Sequence, residues 1–293
     1  MNTEIDAIVV KPAGEGQVYL PTPKRRRENA GTQGFDAVQG SRTDVLTQVR
    51  LGQVGSVHSW ELVTAVDGPG TRMTIFFAGC PLRCLYCHNP DTMKMRNGDN
   101  IAASDLLQRI TRYKSIFDAT GGGITLSGGE VLMQPAFAAQ LLKGAHDQGI
   151  HTTIDTSGFL GRACTDEMLE NIDLVLLDVK SGKPELYKEV TGQDLQPTLD
   201  FGRRLAAKGT EIWLRFVLVP GLTDDPENVA IVADYAASLA TVTRVEVLPF
   251  HQMGRDKWEK SGIKYELGDT EPPSKELIAA TKQIFADRGL TVY

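Results

Sequence analysis

Gly79-Cys80-Pro81-Leu82-Arg83-Cys84-Leu85-Tyr86-Cys87-His88-Asn89-Pro90 is the stretch on which the reading of this chain turns. It gathers three of the chain's four cysteines within eight residues, and Cys164 stands far downstream. Three clustered thiolates suit an iron–sulfur cube, each holding one corner iron. The lack of a fourth leaves one iron open to a substrate or cofactor. Other chemistries share the pattern. Cys80, Cys84, Cys87 and His88 form a Cys3His zinc set, although adjacent Cys87 and His88 strain to reach one tetrahedron. Cys84-x-x-Cys87-His88 also fits c-type haem attachment, and Cys84 with Cys87 fits a thiol redox pair.

Length and charge narrow the class. At 293 residues the chain suffices for one large α/β core. Its net charge of −6 argues against a nucleic-acid partner. No apolar run is long enough to span a bilayer, and the start Met1-Asn-Thr-Glu-Ile-Asp6 has no secretory pattern. A cytoplasmic, reducing setting is therefore expected, where clustered thiols bind metal more often than they form disulfides. The first fifty residues are rich in Gly, Gln, Thr and Pro and show no sustained period. They read as a largely disordered N-terminal arm, and Lys24-Arg25-Arg26-Arg27 within it as a solvated loop or a docking patch.

Beyond residue 72 short apolar strands alternate with amphipathic helices, the pattern of a parallel α/β fold. Strands are expected at 73–78, 124–126, 152–154, 174–179, 212–219 and 245–248. Helices are expected between them, including one over 103–117 and a closing one over 274–288. Six such units fall short of a full (β/α)8 ring, so the fold expected is a partial (β/α)6 TIM-like barrel with a lateral opening. Polar residues interrupt the pattern where strands end: Gly128-Gly129-Glu130, Asp155-Thr156, Asp178 with Lys180, Arg215, and His251. Parallel barrels bring such ends to one rim, which the cysteine loop shares.

The C-x3-C-x2-C spacing resembles the signature of radical S-adenosylmethionine (SAM) enzymes. A closer likeness, to the pyruvate formate-lyase activating enzymes among the glycyl-radical activases, runs from about Gly55 to Tyr293. It rests on Val57-His58-Ser59-Trp60, Val66-Asp67-Gly68-Pro69-Gly70-Thr71-Arg72, and Gly79 to Pro90. It continues through Gly121-Gly122-Gly123-Ile124-Thr125-Leu126-Ser127-Gly128-Gly129-Glu130, Asp155-Thr156-Ser157-Gly158-Phe159 and Leu177-Asp178-Val179-Lys180. Trp213-Leu214-Arg215, Leu248-Pro249-Phe250-His251 and Lys257-Trp258 complete it. Many related activases carry an inserted ferredoxin-like segment with extra cysteines; here only Cys164 remains.

The resemblance implies a radical SAM fold over 55–293, with 1–54 as an extension. It implies a 4Fe–4S cluster on Cys80, Cys84 and Cys87, with SAM as co-substrate. SAM would lie against Tyr86, His88, Gly128, Gly129, Glu130, Asp178, Val179, Lys180, Ser181, Gly182 and His251. Asp155, Thr156 and Asp178 would hold a monovalent cation, and Asp67 and Arg215 would touch the protein substrate. No catalytic side chain beyond the cluster and SAM site is implied. The activity implied is formation of a glycyl radical in pyruvate formate-lyase, fed by a flavodoxin- or ferredoxin-type donor, by a monomer that meets no nucleic acid and no membrane. Activation of another glycyl-radical enzyme is the nearest alternative.

Overall fold

The computed structural model describes residues 31–64 and 66–293. Its sheet contains β1 (Val54–Thr64), β2 (Arg72–Phe77), β3 (Asp99–Ala102), β4 (Gly123–Gly128), β5 (His151–Thr156), β6 (Leu174–Asp178), β7 (Glu211–Leu218) and β8 (Val242–Pro249). The order is β3-β1-β2-β4-β5-β6-β7-β8. From β2 onward every pairing is parallel, so β2 and β4 to β8 are the six strands of the expected partial barrel. No pairing joins β3 to β8 among the described residues, and the sheet stays open there.

The parallel strands form because both their faces are covered, which favours near-continuous apolar runs. Leu174, Val175, Leu176 and Leu177 are all buried, and polarity returns only at Asp178, where β6 ends. The helices around the sheet are α1 (Arg42–Arg50), α2 (Ala103–Arg112), α3 (Lys114–Thr120), α4 (Pro135–His146), α5 (Asp166–Leu169), α6 (Pro184–Thr191), α7 (Gln196–Lys208), α8 (Pro226–Ala237), α9 (Arg255–Lys260) and α10 (Lys275–Ala286). In α4 the buried positions are Phe137, Ala138, Leu141, Leu142 and Ala145, the stripe a helix turns toward a sheet.

Several elements differ from expectation. The helix expected over 103–117 is two: α2 is capped at Tyr113, and the turn re-aims α3 so that Phe117 is buried while Ile116 stays 41 % exposed. β1 lacks a clean alternation because its pairing with β2 shifts register between Val57 and Ser59 and again between Leu62 and Thr64. Thr291 to Tyr293 also run beside β8, with Val247 N–H donating to the Tyr293 carbonyl at 3.1 Å.

The described part of the expected arm, residues 31–54, makes contacts with the domain. Trp60 N–H donates to the Gly31 carbonyl at 3.1 Å, and Phe35 meets Trp60 edge-on at 6.0 Å between ring centres. The Arg109 guanidinium lies over both rings. Ser41 then caps α1 by accepting from Asp44 N–H. Two aromatics and a cap order a segment too polar to show a period by itself. The Lys24–Arg27 run lies outside the described residues.

Candidate active site

The cysteine loop leaves β2 at Phe77 and is fastened on several sides. Gly79 N–H donates to the Thr92 carbonyl at 2.7 Å and Cys80 N–H to that of Met93 at 3.1 Å. Arg83 and Leu85 N–H donate to the carbonyls of Thr191 and Val190, at the end of α6. Trp258 of α9 donates its indole N–H to the Cys87 carbonyl at 2.8 Å. Asp91 is gripped by His58 at 3.1 Å and by Lys257 at 3.8 Å. Burial tends to raise the Asp91 pKa, but the His58 hydrogen bond and the Lys257 charge outweigh it and hold the carboxyl below its usual range.

β4 ends against this loop. At Gly128 φ is +115°, and a side-chain carbon there would sit 2.2 Å from Phe77 N; one at Gly129 would sit 2.2 Å from the Gly79 carbonyl oxygen. The close approach allows Gly129 N–H to bond Phe77 O and Glu130 N–H to bond Gly79 O, each at 2.8 Å. These glycines therefore serve the seating of the cysteine loop, a role the sequence reading did not give them.

Glu130 differs more sharply. Its buried carboxylate accepts from Leu132 N–H, the Thr156 hydroxyl, Ser157 N–H and the Ser157 hydroxyl at 2.6–3.1 Å. These fill about the four acceptor positions a carboxylate has. It clasps the ends of β4 and β5 together instead of reaching out to a ligand. The Thr156 hydroxyl donates to this clasp and accepts from Gly158 N–H at 3.0 Å.

Burial pushes the thiols upward: Cys80 rises well above its ordinary range, Cys84 to about 12, and Cys87 rises as well. Glu130 reinforces the rise at Cys80, while Lys180 opposes it at Cys84. Three neighbouring thiolates need cationic charge in their midst, which iron supplies. Among the described residues no three His, Cys, Asp or Glu side chains converge as a single-ion site requires; a cube holds its thiolates at separate corners. The Tyr86 hydroxyl and His88 Nε2 are buried without hydrogen-bond partners, as groups awaiting a ligand are. The donor set thus fits a three-cysteine cluster with a ligand beside it.

His88 stacks on His251 at 4.0 Å between ring centres, tilted 30°. Burial, then the neighbouring His251, drives His88 down to about 4, so it is neutral near pH 7. At the end of β6 Lys180 pairs with Asp178 at 2.6 Å and lies 5.9 Å from the Tyr86 ring centre. Burial tends to lower the Lys180 pKa, but Asp178 and the neighbouring Tyr86 and Cys84 keep the ammonium firmly charged. Val179 is buried in the core, while Ser181 Oγ and Gly182 N–H both bond Asn228 Oδ1 of α8. Those three side-chain positions belong to the wall. Asn228 was missed, and its partner is 47 residues away in sequence.

Arg215 is not at a strand end but inside β7, opposite Asp178, because staggered strands bring different depths to one level. It lies 3.4 Å from Asp155 and 3.2 Å from Glu246, and donates to the Val66 carbonyl at 3.1 Å. Burial would lower its pKa, yet Asp155, Asp178 and Glu246 raise it further. Asp67 accepts from the Thr74 hydroxyl at 3.1 Å, and the Val66 carbonyl ties the same turn to Arg215. Glu246 was not anticipated; it is held in turn by Arg244 at 2.9 Å.

A profile described as the Radical SAM superfamily matches residues 74–231. The pyruvate formate-lyase-activating enzyme of Clostridium pasteurianum is 45 % identical over 223 residues, covering 76 % of this chain and 93 % of that protein. The pyruvate formate-lyase 1-activating enzyme of Escherichia coli K12 is 38 % identical over 238 residues, covering 80 % and 97 %. Among solved structures, a domain of the pyruvate-formate lyase-activating enzyme from Bacteroides vulgatus superposes with a TM-score of 0.50 at 28 % identity, over 59 % of this chain and 98 % of that one. With three thiols, a glycine-seated loop and an open parallel barrel in place, the chain belongs to the radical SAM superfamily and, within it, to the pyruvate formate-lyase activating enzymes.

Proposed function

We infer that the chain activates a pyruvate formate-lyase by installing a radical on one of its glycines. The observation that carries this is the three-cysteine loop at the C-terminal rim of a barrel left open along one side. Cys80, Cys84 and Cys87 hold the 4Fe–4S cluster. When bound, the cluster supplies the electron that splits SAM into methionine and a 5′-deoxyadenosyl radical, which takes an α-hydrogen from the substrate glycine.

The chain's residues position and shield. Gly129, locked to the cysteine loop, offers backbone to SAM's amino acid end. Tyr86, His88, His251 and the Asp178–Lys180 pair line the nucleoside side, with backbone of 179–182 as the wall. Neutral His88 stacked on His251 offers a ring face without adding charge beside a sulfonium. Asp155 and Asp178 form the acidic pair for a monovalent cation, since carboxylates near SAM's carboxylate repel without one. The turn at Asp67, backed by Arg215, meets the substrate segment. Only glycine yields an unencumbered backbone radical, and the open side gives a glycine loop its way in.

The enzyme works as a monomer in a reducing cytoplasmic setting, which three unpaired thiols favour, and takes electrons from a flavodoxin- or ferredoxin-type carrier. No described helix is long and apolar enough to cross a membrane. The radical SAM domain takes 55–293 as its catalytic part, with residues 31–54 as an attached brace. Anaerobic incubation of the reconstituted protein with SAM, a reductant and pyruvate formate-lyase should give a glycyl-radical signal by electron paramagnetic resonance. SAM cleavage without that signal, while another glycyl-radical enzyme does give one, would move the substrate assignment to that enzyme.

A further inference from the structure

Strand register sets three charges in one row across β6, β7 and β8. Asp178 pairs with Arg215, and Arg215 pairs with Glu246. Side chains alternate faces along a strand, so Trp213 and Arg215 of β7 share a face with Arg244 and Glu246 of β8. The opposite face sends Leu214, Phe216, Val245 and Val247 into the apolar core. The charged row therefore faces the barrel interior, where a charge needs a partner. Arg215 and Glu246 are both buried there.

Glu246 is an anchored carboxylate. Its Oε2 lies 3.2 Å from Arg215 Nε and its Oε1 lies 2.9 Å from Arg244 Nε. Arg244 is itself fixed, with its guanidinium over the Trp213 and Tyr293 rings at 4.4 and 3.9 Å from their centres. Trp213 is held in turn, its indole N–H donating to Glu211 at 3.1 Å. Arg215 is thus tied at Nε by Glu246 and at Nη2 by the Val66 carbonyl. Its Nη1 faces Asp155 Oδ1 at 3.4 Å, beyond ordinary hydrogen-bond length. Asp155 Oδ2 accepts from the Ser127 hydroxyl at 2.7 Å, while Oδ1 is buried with no hydrogen-bond donor among the described residues. Lys180 is already committed to Asp178. A buried carboxylate oxygen left without a donor is costly, and Arg215 carries donors that could satisfy it. Its anchors stop it short.

We propose that Glu246 is a positioning residue: it holds the Arg215 guanidinium back from Asp155, so that Asp155 Oδ1 stays open to a monovalent cation. The inference rests on the cation reading above and gives that site the group that keeps it vacant of protein charge. Freed from Glu246, Arg215 would close on Asp155 as an ordinary charge-assisted pair. The negative charge meant for the cation would then be cancelled from within the protein. Arg244, pinned by its two aromatic rings, keeps Glu246 from following Arg215 inward. The stack around Arg244 thereby acts on a carboxylate it does not touch.

The test uses the full chain with its cluster as wild type, Glu246→Gln, Arg215→Met and the double variant. Isothermal titration gives SAM affinity across a potassium series, with tetramethylammonium chloride holding the ionic strength constant. Melting temperatures are read across the same series. In Glu246→Gln the potassium concentration for half-maximal effect should rise about tenfold or more, because a full positive charge moves onto Asp155. In the Arg215→Met background the same substitution should shift that midpoint by less than about twofold, since no guanidinium remains to close. Should the Arg215 variants fail to fold, a crystal structure of Glu246→Gln decides: Arg215 should be hydrogen-bonded to Asp155, and a guanidinium left in place would overturn the role. A wild-type midpoint in Glu246→Gln would overturn it too, even with a lowered melting temperature, which would make Glu246 structural. An equal shift in both backgrounds would reduce Glu246 to a distant charge and sink the positioning role. The reading beneath fails in a different way: a wild type whose SAM affinity and melting temperature ignore potassium would remove the cation, and this role with it.

Discussion

Ser157 is joined to Glu130 twice, its backbone N–H at 3.0 Å and its hydroxyl at 2.6 Å from the same carboxylate oxygen. The other oxygen takes the Thr156 hydroxyl and Leu132 N–H. One buried side chain thus fixes the end of β4, and with it the cysteine loop, to the end of β5.

Glu130→Ala should therefore act on assembly before it acts on SAM. It orphans buried donors, each costing about 1–3 kcal/mol. A lower melting temperature and a smaller fraction of reconstituted cluster are expected, with SAM affinity per cluster near wild type. A variant of normal stability and cluster content that binds SAM poorly would make Glu130 a ligand after all.

Cys80→Ala, Cys84→Ala or Cys87→Ala should each abolish the cluster and SAM cleavage. Cys164 sits in the core beneath α7, fully buried, with Arg204 donating to its carbonyl at 2.7 Å. Cys164→Ala should keep the cluster and lose about 1 kcal/mol or less of stability, the scale of a small core truncation. Iron and sulfide analysis checks both halves, and cluster loss in the Cys164 variant would break the ligand assignment.

The parts of this molecule legible in its sequence were those with local signals. Apolar runs gave the six parallel strands, and the cysteine spacing gave the metal loop. The clasp of Glu130, the bond from Ser181 to Asn228 and the ion pair of Arg215 with Glu246 join residues dozens of positions apart, which periodicity does not report. β1 hid behind its two register shifts, and α1 behind a polar composition whose order comes from its neighbours. Arg215 was misplaced by depth, because strand stagger is a property of the assembled sheet and not of any one strand.

Asp178→Ala removes the partner of a largely buried ammonium, and such removal typically costs about 3–5 kcal/mol when the pair is fully buried. Lys180 retains some exposure, so a folded variant with an intact cluster and SAM affinity reduced at least about tenfold is expected. Asp178→Asn, which retains shape, should show the same affinity loss with less destabilisation. Isothermal titration on cluster-loaded protein distinguishes this from a structural role, in which both variants would lose stability and retain SAM.

Chains beginning at Gly31 and at Leu51 should differ in stability although neither reaches the cluster. The shorter one loses the Phe35–Trp60 contact, the Gly31–Trp60 hydrogen bond and α1. Half-burial of one aromatic and an edge-on ring contact together suggest about 1–3 kcal/mol. Equal denaturant midpoints for the two would show that 31–50 lie on the domain without supporting it.

Asp155 carries the pH prediction. Burial lifts its carboxyl from 3.8 to about 6, against the pull of Arg215 and with the push of Asp178. Below about pH 4 both folded and unfolded chains hold the proton, and between about 4 and about 6 only the folded chain does. Folded protein binds more protons in that window, so this group's contribution to stability is lost as pH rises through it and is level above. Asp155→Asn should remove that component, so the variant's apoprotein gains on the wild type by on the order of 1–3 kcal/mol between pH 4 and pH 7. Potassium should raise the wild-type melting temperature at pH 7.5 and leave the variant little changed, because a cation between Asp155 and Asp178 replaces the proton that burial favours. Parallel stability profiles for the two proteins would show that Asp155 titrates normally, and an equal potassium response would place the cation elsewhere.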